Sequence, residues 1–347
     1  MGLSLLLQGR DLTTNLPWDF SLPWEVNVAI GNKPVPDDLA AGRTASAVLT
    51  AFTALVVIAV AHTFVKPAWA VAAGAMYAIH PFTIYIGSLA MADALFGFLI
   101  ACSAWAATVL ARGPSPVRAI ILGSLLGLGA ATKLSPLAVA AGVTMAIPVV
   151  VVYLAVRRQI LARARSQWAI VGLLVSTAAI GVFVAVYPYL WPNPIARTHN
   201  LFVFRSEEMT AQASDWPVMA VPNRLEALRR VHANFSDRYN ISATLANWAQ
   251  LSSAPTWLRQ LEIIVVAAGL AILTIRAARD GPLSPQCLAL AVLGGQVLVT
   301  MLGMRSEFDR YHLPMAILGA IAAGATLDWI ASRIPRRPPL DRAASPS

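Results

Sequence analysis

Apolar runs long enough to cross a bilayer recur along the chain, and this feature limits the possible folds more than any other. A helix of about 20 apolar residues spans the hydrocarbon core of a membrane. The 347 residues are 57% hydrophobic and 12% charged, whereas a soluble domain carries roughly 25% charged residues. A chain this poor in charge cannot cover a water-facing surface. We therefore predict an all-α, polytopic membrane protein with about nine transmembrane helices.

These predicted helices divide the chain into five parts. They comprise an amino-terminal segment 1–43, helices one to six over 44–189, a large loop 190–258, helices seven to nine over 259–333, and a tail 334–347. The nine apolar segments are 44–65, 68–86, 91–111, 118–132, 135–156, 168–189, 259–276, 284–303 and 312–331.

Basic residues gather in short loops on one side of the predicted bundle. The stretch 157–165 holds four arginines and no acid, and short basic loops stay on the cytoplasmic side of a membrane. This places the tail 334–347 in the cytoplasm and the segments 1–43 and 190–258 outside an inner (plasma) membrane. The net charge of +9 then reflects orientation near anionic lipid rather than binding to nucleic acid.

The two outer segments share an interfacial character. Both contain tryptophan and proline, and tryptophan is enriched at the boundary between lipid and water. A structureless loop as long as 190–258 is uncommon in a compact protein. We therefore expect short interfacial helices in 190–258, and contact between 1–43 and the outer leaflet.

Two charged residues at predicted helix ends are candidates for an outer-face site. Asp93 begins a helix that enters the bilayer, and Lys133 lies between two closely spaced helices. Asp93 either caps its helix, where the helix dipole favours a carboxylate, or organises a functional cavity. Lys133 either extends its ammonium group toward water or contacts an anionic head group.

Two further clusters fall on the same predicted side. The cluster in the large loop either forms a solvated helical face or lines a cavity, and the cluster before the last helix either forms its own ion pairs or lines a cavity. Arginine suits phosphate because its planar fork binds two oxygens at once. No motif in the sequence indicates a metal or cofactor site. The clusters are Arg205, Glu207 and Glu208 in the large loop, and Arg305, Glu307, Asp309, Arg310 and His312 before the last helix.

Several stretches resemble one family when they are taken in order. The runs 42–46, 79–93 and 127–133 look like the membrane core of the GT-C glycosyltransferases, and most like the dolichyl-phosphate-mannose protein mannosyltransferase and aminoarabinose transferase group. The run 310–314 is similar to that family's entry to its last helix, and 187–194 is similar to the start of its large outer loop.

The resemblance implies a cofactor-free transfer of a sugar, such as mannose, from a polyprenyl-phosphate carrier to a hydroxyl of an acceptor protein or glycolipid at the membrane. A carboxylate would act as general base, and cations would stabilise charge on the departing phosphate. It assigns the phosphate contacts to Lys133, Arg205 and Arg310, and the organisation of the cavity to Asp93.

The chain departs from the family at its amino end. The family's catalytic aspartate follows a first membrane helix, and we predict no membrane helix before residue 44 here, because the apolar run 1–7 is too short. Asp11 and Asp19 are the substitutes for the general base, and we expect the chain to be shortened at this end. Two other functions stay open: a lipid-linked-sugar transporter or flippase, and a non-catalytic relative that only binds the carrier.

Overall fold

The computed structural model describes residues 22–32, 36–157, 162–250 and 256–334, and its regular structure there is helical, apart from a single isolated bridge between Ala220 and Ser306. Short 3-10 turns and one π-helical turn connect some of the helices. The α-helices are α1 Trp24–Ala29, α2 Pro36–Ala61, α3 Pro67–Ile79, α4 Pro81–Gly87, α5 Asp93–Arg112, α6 Pro116–Thr132, α7 Ser135–Val156, α8 Ala162–Val186, α9 Pro194–Asp215, α10 Arg224–Ala233, α11 Ile241–Trp248, α12 Thr256–Asp280, α13 Pro285–Gly303 and α14 Leu313–Arg333.

Within the described residues, seven helices are long and apolar enough to cross a membrane, namely α2, α5, α7, α8, α12, α13 and α14. This confirms an all-helical chain with several candidate spans, as expected of a polytopic membrane protein. Nine spans were predicted, and the difference has two sources. The predicted span 68–86 is a bent pair of helices, and α6 has 17 residues.

Proline explains the bend in the predicted span 68–86. Helix α3 ends at Ile79, His80 has extended backbone angles, and α4 starts at Pro81. A proline lacks a backbone N–H and disfavours helical angles at the preceding residue. The two helices consequently meet at 58°.

The first long helix begins earlier than predicted. Helix α2 starts at Pro36 rather than at residue 44, and its first turn carries Asp37 and Asp38. Acidic residues are favoured in the first turn because the amino end of a helix dipole is positive. The proposed amino-terminal segment 1–43 therefore overlaps this helix. Residues 1–21 and 335–347 lie outside the described residues.

The ends of the bundle differ in their polar contacts. At one end, here called the polar end, Ser46 Oγ donates to Met91 O over 3.4 Å. At this end Arg224, at the start of α10, donates to Met304 O just after α13 over 2.9 Å, and Asn240, just before α11, donates to Arg259 O of α12 over 3.1 Å. At the opposite end, the basic end, Arg276 contacts Asp328 over 2.9 Å and Gln286 donates to Thr63 O over 3.2 Å. Arg157 ends α7 at the basic end.

The segment between α8 and α12 contains the helices expected in the large loop. Helix α9 is longer than expected, with 22 residues, and α10 and α11 have 10 and 8. The segment is fastened to the chain before α14, because Val221 N donates to Arg305 O and Glu307 N donates to Met219 O, each over 2.8 Å. This pairing brings the loop over the start of the last helix.

Close packing of α6 against α8 depends on two glycines. A Cβ atom at Gly123 would overlap the carbonyl oxygen of Val175, and one at Gly127 would overlap that of Ala179. Apolar helices gain no hydrophobic advantage by associating within lipid, so close backbone approach at small residues supplies much of their attraction.

We predict that Gly127→Ala destabilises the protein by about 1–3 kcal/mol, because the added methyl group overpacks the helix contact. Gly181→Ala on α8 is the matched control, since nothing lies within 4 Å of a Cβ at that position. Thermal unfolding in detergent should lower the Tm of Gly127→Ala and not that of Gly181→Ala. Equal Tm values for the two variants would contradict this packing.

Candidate functional site at the polar end

Asp93 and Lys133 form an ion pair that links the start of α5 to the residue after α6. The Asp93 side chain is 5% exposed. The Lys133 ammonium also lies 5.0 Å from the ring centre of Phe96 and 5.2 Å from that of Tyr311. Burial lowers the pKa of Lys133, and the Asp93 carboxylate opposes that shift. The two predicted site residues therefore meet, but each engages the other.

Arg310 is a cation that has no acidic partner among the described residues. Its guanidinium lies 4.9 Å from the ring centre of Phe308 and 5.8 Å from that of Tyr311. Its backbone oxygen accepts from Lys133 Nζ over 3.5 Å. Among the residues that the structure describes, no carboxylate lies within ion-pair distance of this guanidinium. Arg310 can therefore accept an external anion.

Both oxygens of Asp309 are occupied. Arg238 donates to Oδ1 over 2.7 Å, and the Tyr239 hydroxyl donates to Oδ2 over 2.9 Å. Burial, followed by the hydrogen bond to Asp309 and its charge, raises the pKa of Tyr239. Asp309 thus anchors the chain after α10 to the chain before α14.

His312 and Arg230 occupy the two oxygens of Glu307. The imidazole of His312 is fully buried, with Nε2 3.2 Å from Oε1, and Arg230 lies 3.4 Å from Oε2. The hydrogen bond from His312 is the main cause that holds the pKa of Glu307 below its ordinary value, and it outweighs the opposing effect of burial. Arg230 also contacts Glu226 over 2.9 Å.

The residues predicted on α9 lie at the surface. Arg205 pairs with Glu208 one turn later, and Glu207 is exposed. None of the three lines either of the two cavities described next. Asp11 and Asp19, the predicted substitutes for the general base, lie outside the described residues.

An apolar groove of about 1080 Å³ runs along α12 and α14. Its lining extends from Leu258 to Leu270 on α12 and from Met315 to Leu327 on α14, and helices α3, α10, α11 and α13 complete it. Twelve helical residues span about 18 Å. The groove therefore reaches from the polar end well into the apolar layer of the bundle.

A polar cavity of about 590 Å³ lies at the same end. It holds three carboxylates, two guanidinium groups, an amide and two aromatic rings. These are Asp237, Glu307, Asp309, Arg230, Arg238, Asn234, Tyr85 and Phe308. Its lining is thus far more polar than that of the apolar groove.

One π-helical turn, Asn234–Arg238, contributes to both cavities. Phe235 lines the apolar groove, whereas Asn234, Asp237 and Arg238 line the polar cavity. The wider π turn changes the angle between successive side chains, and such turns are frequent at functional sites. This turn places an apolar groove and a polar cavity side by side.

His80 and Glu262 form a contact in the part of the groove nearest the polar end. Phe82 N donates to His80 Nδ1, so the ring proton lies on Nε2, which is 3.1 Å from Glu262 Oε1. The second oxygen of Glu262 accepts from Ile241 N over 3.0 Å. Sequence reasoning missed this pair, although an acid within the predicted span 259–276 is an unusual feature that points to a function.

Sequence reasoning also missed Arg230, Asn234, Asp237 and Arg238. They lie in a charged loop where nothing in the local pattern separates a cavity residue from a solvated one. Within the described ranges, no group of three histidine, cysteine, aspartate or glutamate residues could hold a metal ion.

A scan against protein-family models found no family that matches the chain, and a search of curated proteins found no match. The resemblance to the GT-C glycosyltransferases therefore rests on the short stretches of sequence quoted above.

We predict that Lys133→Met destabilises the protein by about 3–5 kcal/mol, because it leaves Asp93 as a buried charge without its partner. The double variant Asp93→Asn with Lys133→Met should recover part of this loss. Arg205→Met is the control, since an exposed ion pair contributes about 0–1 kcal/mol. Unfolding in detergent measures all three, and a wild-type Tm for Lys133→Met would refute the role of the pair.

The contacts of Glu307 predict a pH dependence of stability. Its pKa is lower in the folded than in the unfolded protein, so the stabilisation is complete above the unfolded pKa and is lost as the pH falls through the folded pKa. Wild type should therefore exceed Glu307→Gln in Tm at neutral pH, and the gap should close on acidification. A gap that is unchanged down to pH 3 would be inconsistent with an ionised Glu307.

Proposed function

We propose that the protein is a membrane glycosyltransferase of the GT-C type that moves a sugar from a polyprenyl-phosphate donor to a hydroxyl acceptor. One observation carries the proposal. A long apolar groove and a polar cavity share one π-helical turn at the same end of the bundle. Transfer from a lipid-linked donor requires an apolar site for the long chain of the donor next to a polar site where a sugar and a hydroxyl can meet.

The groove suits the polyprenyl chain of the donor. Its lining is almost entirely apolar, and it follows the membrane-spanning helices α12 and α14. The donor phosphate needs a cation at the polar end. Of the three predicted phosphate contacts, Arg310 is the best candidate. It directly follows Asp309, which lines the polar cavity, and no described carboxylate neutralises its charge, whereas Lys133 is paired with Asp93 and Arg205 with Glu208. Arginine also binds two phosphate oxygens at once.

In this proposal the polar end faces away from the cytoplasm. Arg112, Arg157, Arg279 and Arg333 end helices at the opposite end, and basic short loops favour the cytoplasmic side. The protein would lie in a bacterial inner membrane with its carboxyl end inside. Exposed apolar side chains of the outer segment, such as Ile195 and Trp248, would contact the outer leaflet. The acceptor would be a protein or a glycolipid.

Transport of a lipid-linked sugar is the second candidate. The break between α3 and α4 favours it, because transporters use interrupted helices at their binding sites. Against it, the charged side chains described here gather at the two ends of the bundle rather than at mid-depth. A flippase would move the lipid between leaflets without releasing the sugar.

The test is transfer by purified, reconstituted protein from phosphopolyprenols carrying tritiated mannose, glucose or galactose. Wild type should release the label from the carrier onto a glycoside or peptide acceptor. Movement of intact donor across the bilayer without release would favour the transporter instead.

Two variants test the donor site. Arg310→Gln should weaken binding of polyprenyl phosphate, measured by native mass spectrometry, by about tenfold or more, since a hydrogen bond to a charged group contributes about 1.5–3 kcal/mol. Gly319→Leu should do the same by filling the groove that Gly319 lines. Gly294→Leu on α13 is the control, because its Cβ position has nothing within 4 Å. Unaltered binding in both test variants would contradict the donor site.

A further inference from the structure

The polar cavity contains three carboxylates, of which two are fully engaged. Glu307 contacts His312 and Arg230 through its two oxygens, and Asp309 accepts from Arg238 and Tyr239 through its own. Asp237 lines the same cavity, is exposed, and has no ion-pair partner among the described residues. It is therefore the carboxylate of this cavity that is free to accept a proton or a hydrogen bond from a ligand.

A second group in the cavity also lacks a partner. Asn234 is 6% exposed, lines the cavity, and its Nδ2 has no hydrogen-bond partner within the part of the chain that the structure describes. A buried amide left unsatisfied costs about 1–3 kcal/mol. Nδ2 itself is closed to solvent, so a ligand oxygen would reach it only after the side chain turns toward the cavity. That contact would remove this cost, and the amide therefore favours an oxygen-bearing ligand.

The charges of the cavity argue against phosphate as that ligand. Its two cations, Arg230 and Arg238, are already neutralised by Glu226, Glu307 and Asp309. Among the described residues of the lining, the Asn234 amide and the Asp237 carboxylate remain without a charged partner, next to the aromatic side chains of Tyr85 and Phe308. A neutral ligand with several hydroxyl groups meets all of these features, and 590 Å³ is large enough for a sugar.

We propose that the polar cavity binds a carbohydrate acceptor and that Asp237 is the general base. This rests on the proposed sugar transfer. The acceptor hydroxyl oxygen attacks the anomeric carbon of the donor, and its proton passes to the Asp237 carboxylate. The bond between the anomeric carbon and the phosphate oxygen breaks, and polyprenyl phosphate leaves with the bonding electrons. Asn234 donates to an acceptor oxygen and positions it.

The experiment measures transfer of tritiated mannose from mannosyl-phosphopolyprenol, or of the labelled sugar from the donor that wild type uses, to methyl α-D-mannoside. Asp237→Asn should lower kcat by about 100-fold or more, as expected for loss of a general base, and should leave binding of polyprenyl phosphate within twofold of wild type. Asp215→Asn is the matched control, since Asp215 is an exposed acid in the same outer segment that does not line the cavity. Asn234→Leu should mainly raise KM for the acceptor.

Chemical rescue separates a catalytic role for Asp237 from a structural one. Added formate should restore part of the activity of Asp237→Ala, because a small carboxylate can occupy the vacated space, and should leave wild type and Asp215→Asn unchanged. If Asp237→Asn keeps more than a tenth of the wild-type transfer rate, the assignment of Asp237 as general base is wrong, while the proposed sugar transfer stands. Absence of transfer by wild type from every donor tested would overturn the proposed function, and the assignment with it.

Discussion

The cost of placing charge in hydrocarbon governs the arrangement of this molecule. The charged groups described here lie near the ends of the apolar helices, and where one is buried it has a partner. The pair of Asp93 and Lys133 is the clearest case, because it joins α5 to the chain after α6 and lies against the ring of Tyr311 just before α14. Three parts of the bundle therefore meet at one neutralised contact, and the arrangement of the polar end depends on it.

This constraint explains why much of the fold could be predicted from the sequence. Apolar runs must form helices in lipid, since every backbone N–H and C=O needs an internal partner there. Helices α7 and α13 accordingly match the predicted segments 135–156 and 284–303 almost residue for residue. The early start of α2 was missed because Asp37 and Asp38 look like loop residues, although the first turn of a helix favours them.

The candidate site was predictable only in part. The proximity of Lys133 to Asp93 and to Arg310 follows from counting helices, because all three then fall at one end. Their partners do not follow from counting. Asp309 is held by Arg238, which lies 71 positions earlier in the chain, and the free carboxylate of Asp237 depends on a π-helical turn. Such contacts are set by tertiary packing, which no local pattern of residues reports.

The contact of Glu262 with two separate elements has a mechanical consequence. Its Oε1 contacts Nε2 of His80 at the junction of α3 and α4. Its Oε2 accepts a hydrogen bond from the backbone N–H of Ile241, the first residue of α11. The interrupted helix and the short helix that covers the groove are thereby tied to a single side chain of α12. Neither can move away from the groove independently without giving up its bond to that carboxylate, so the opening of the groove and the tilt of α4 are coupled.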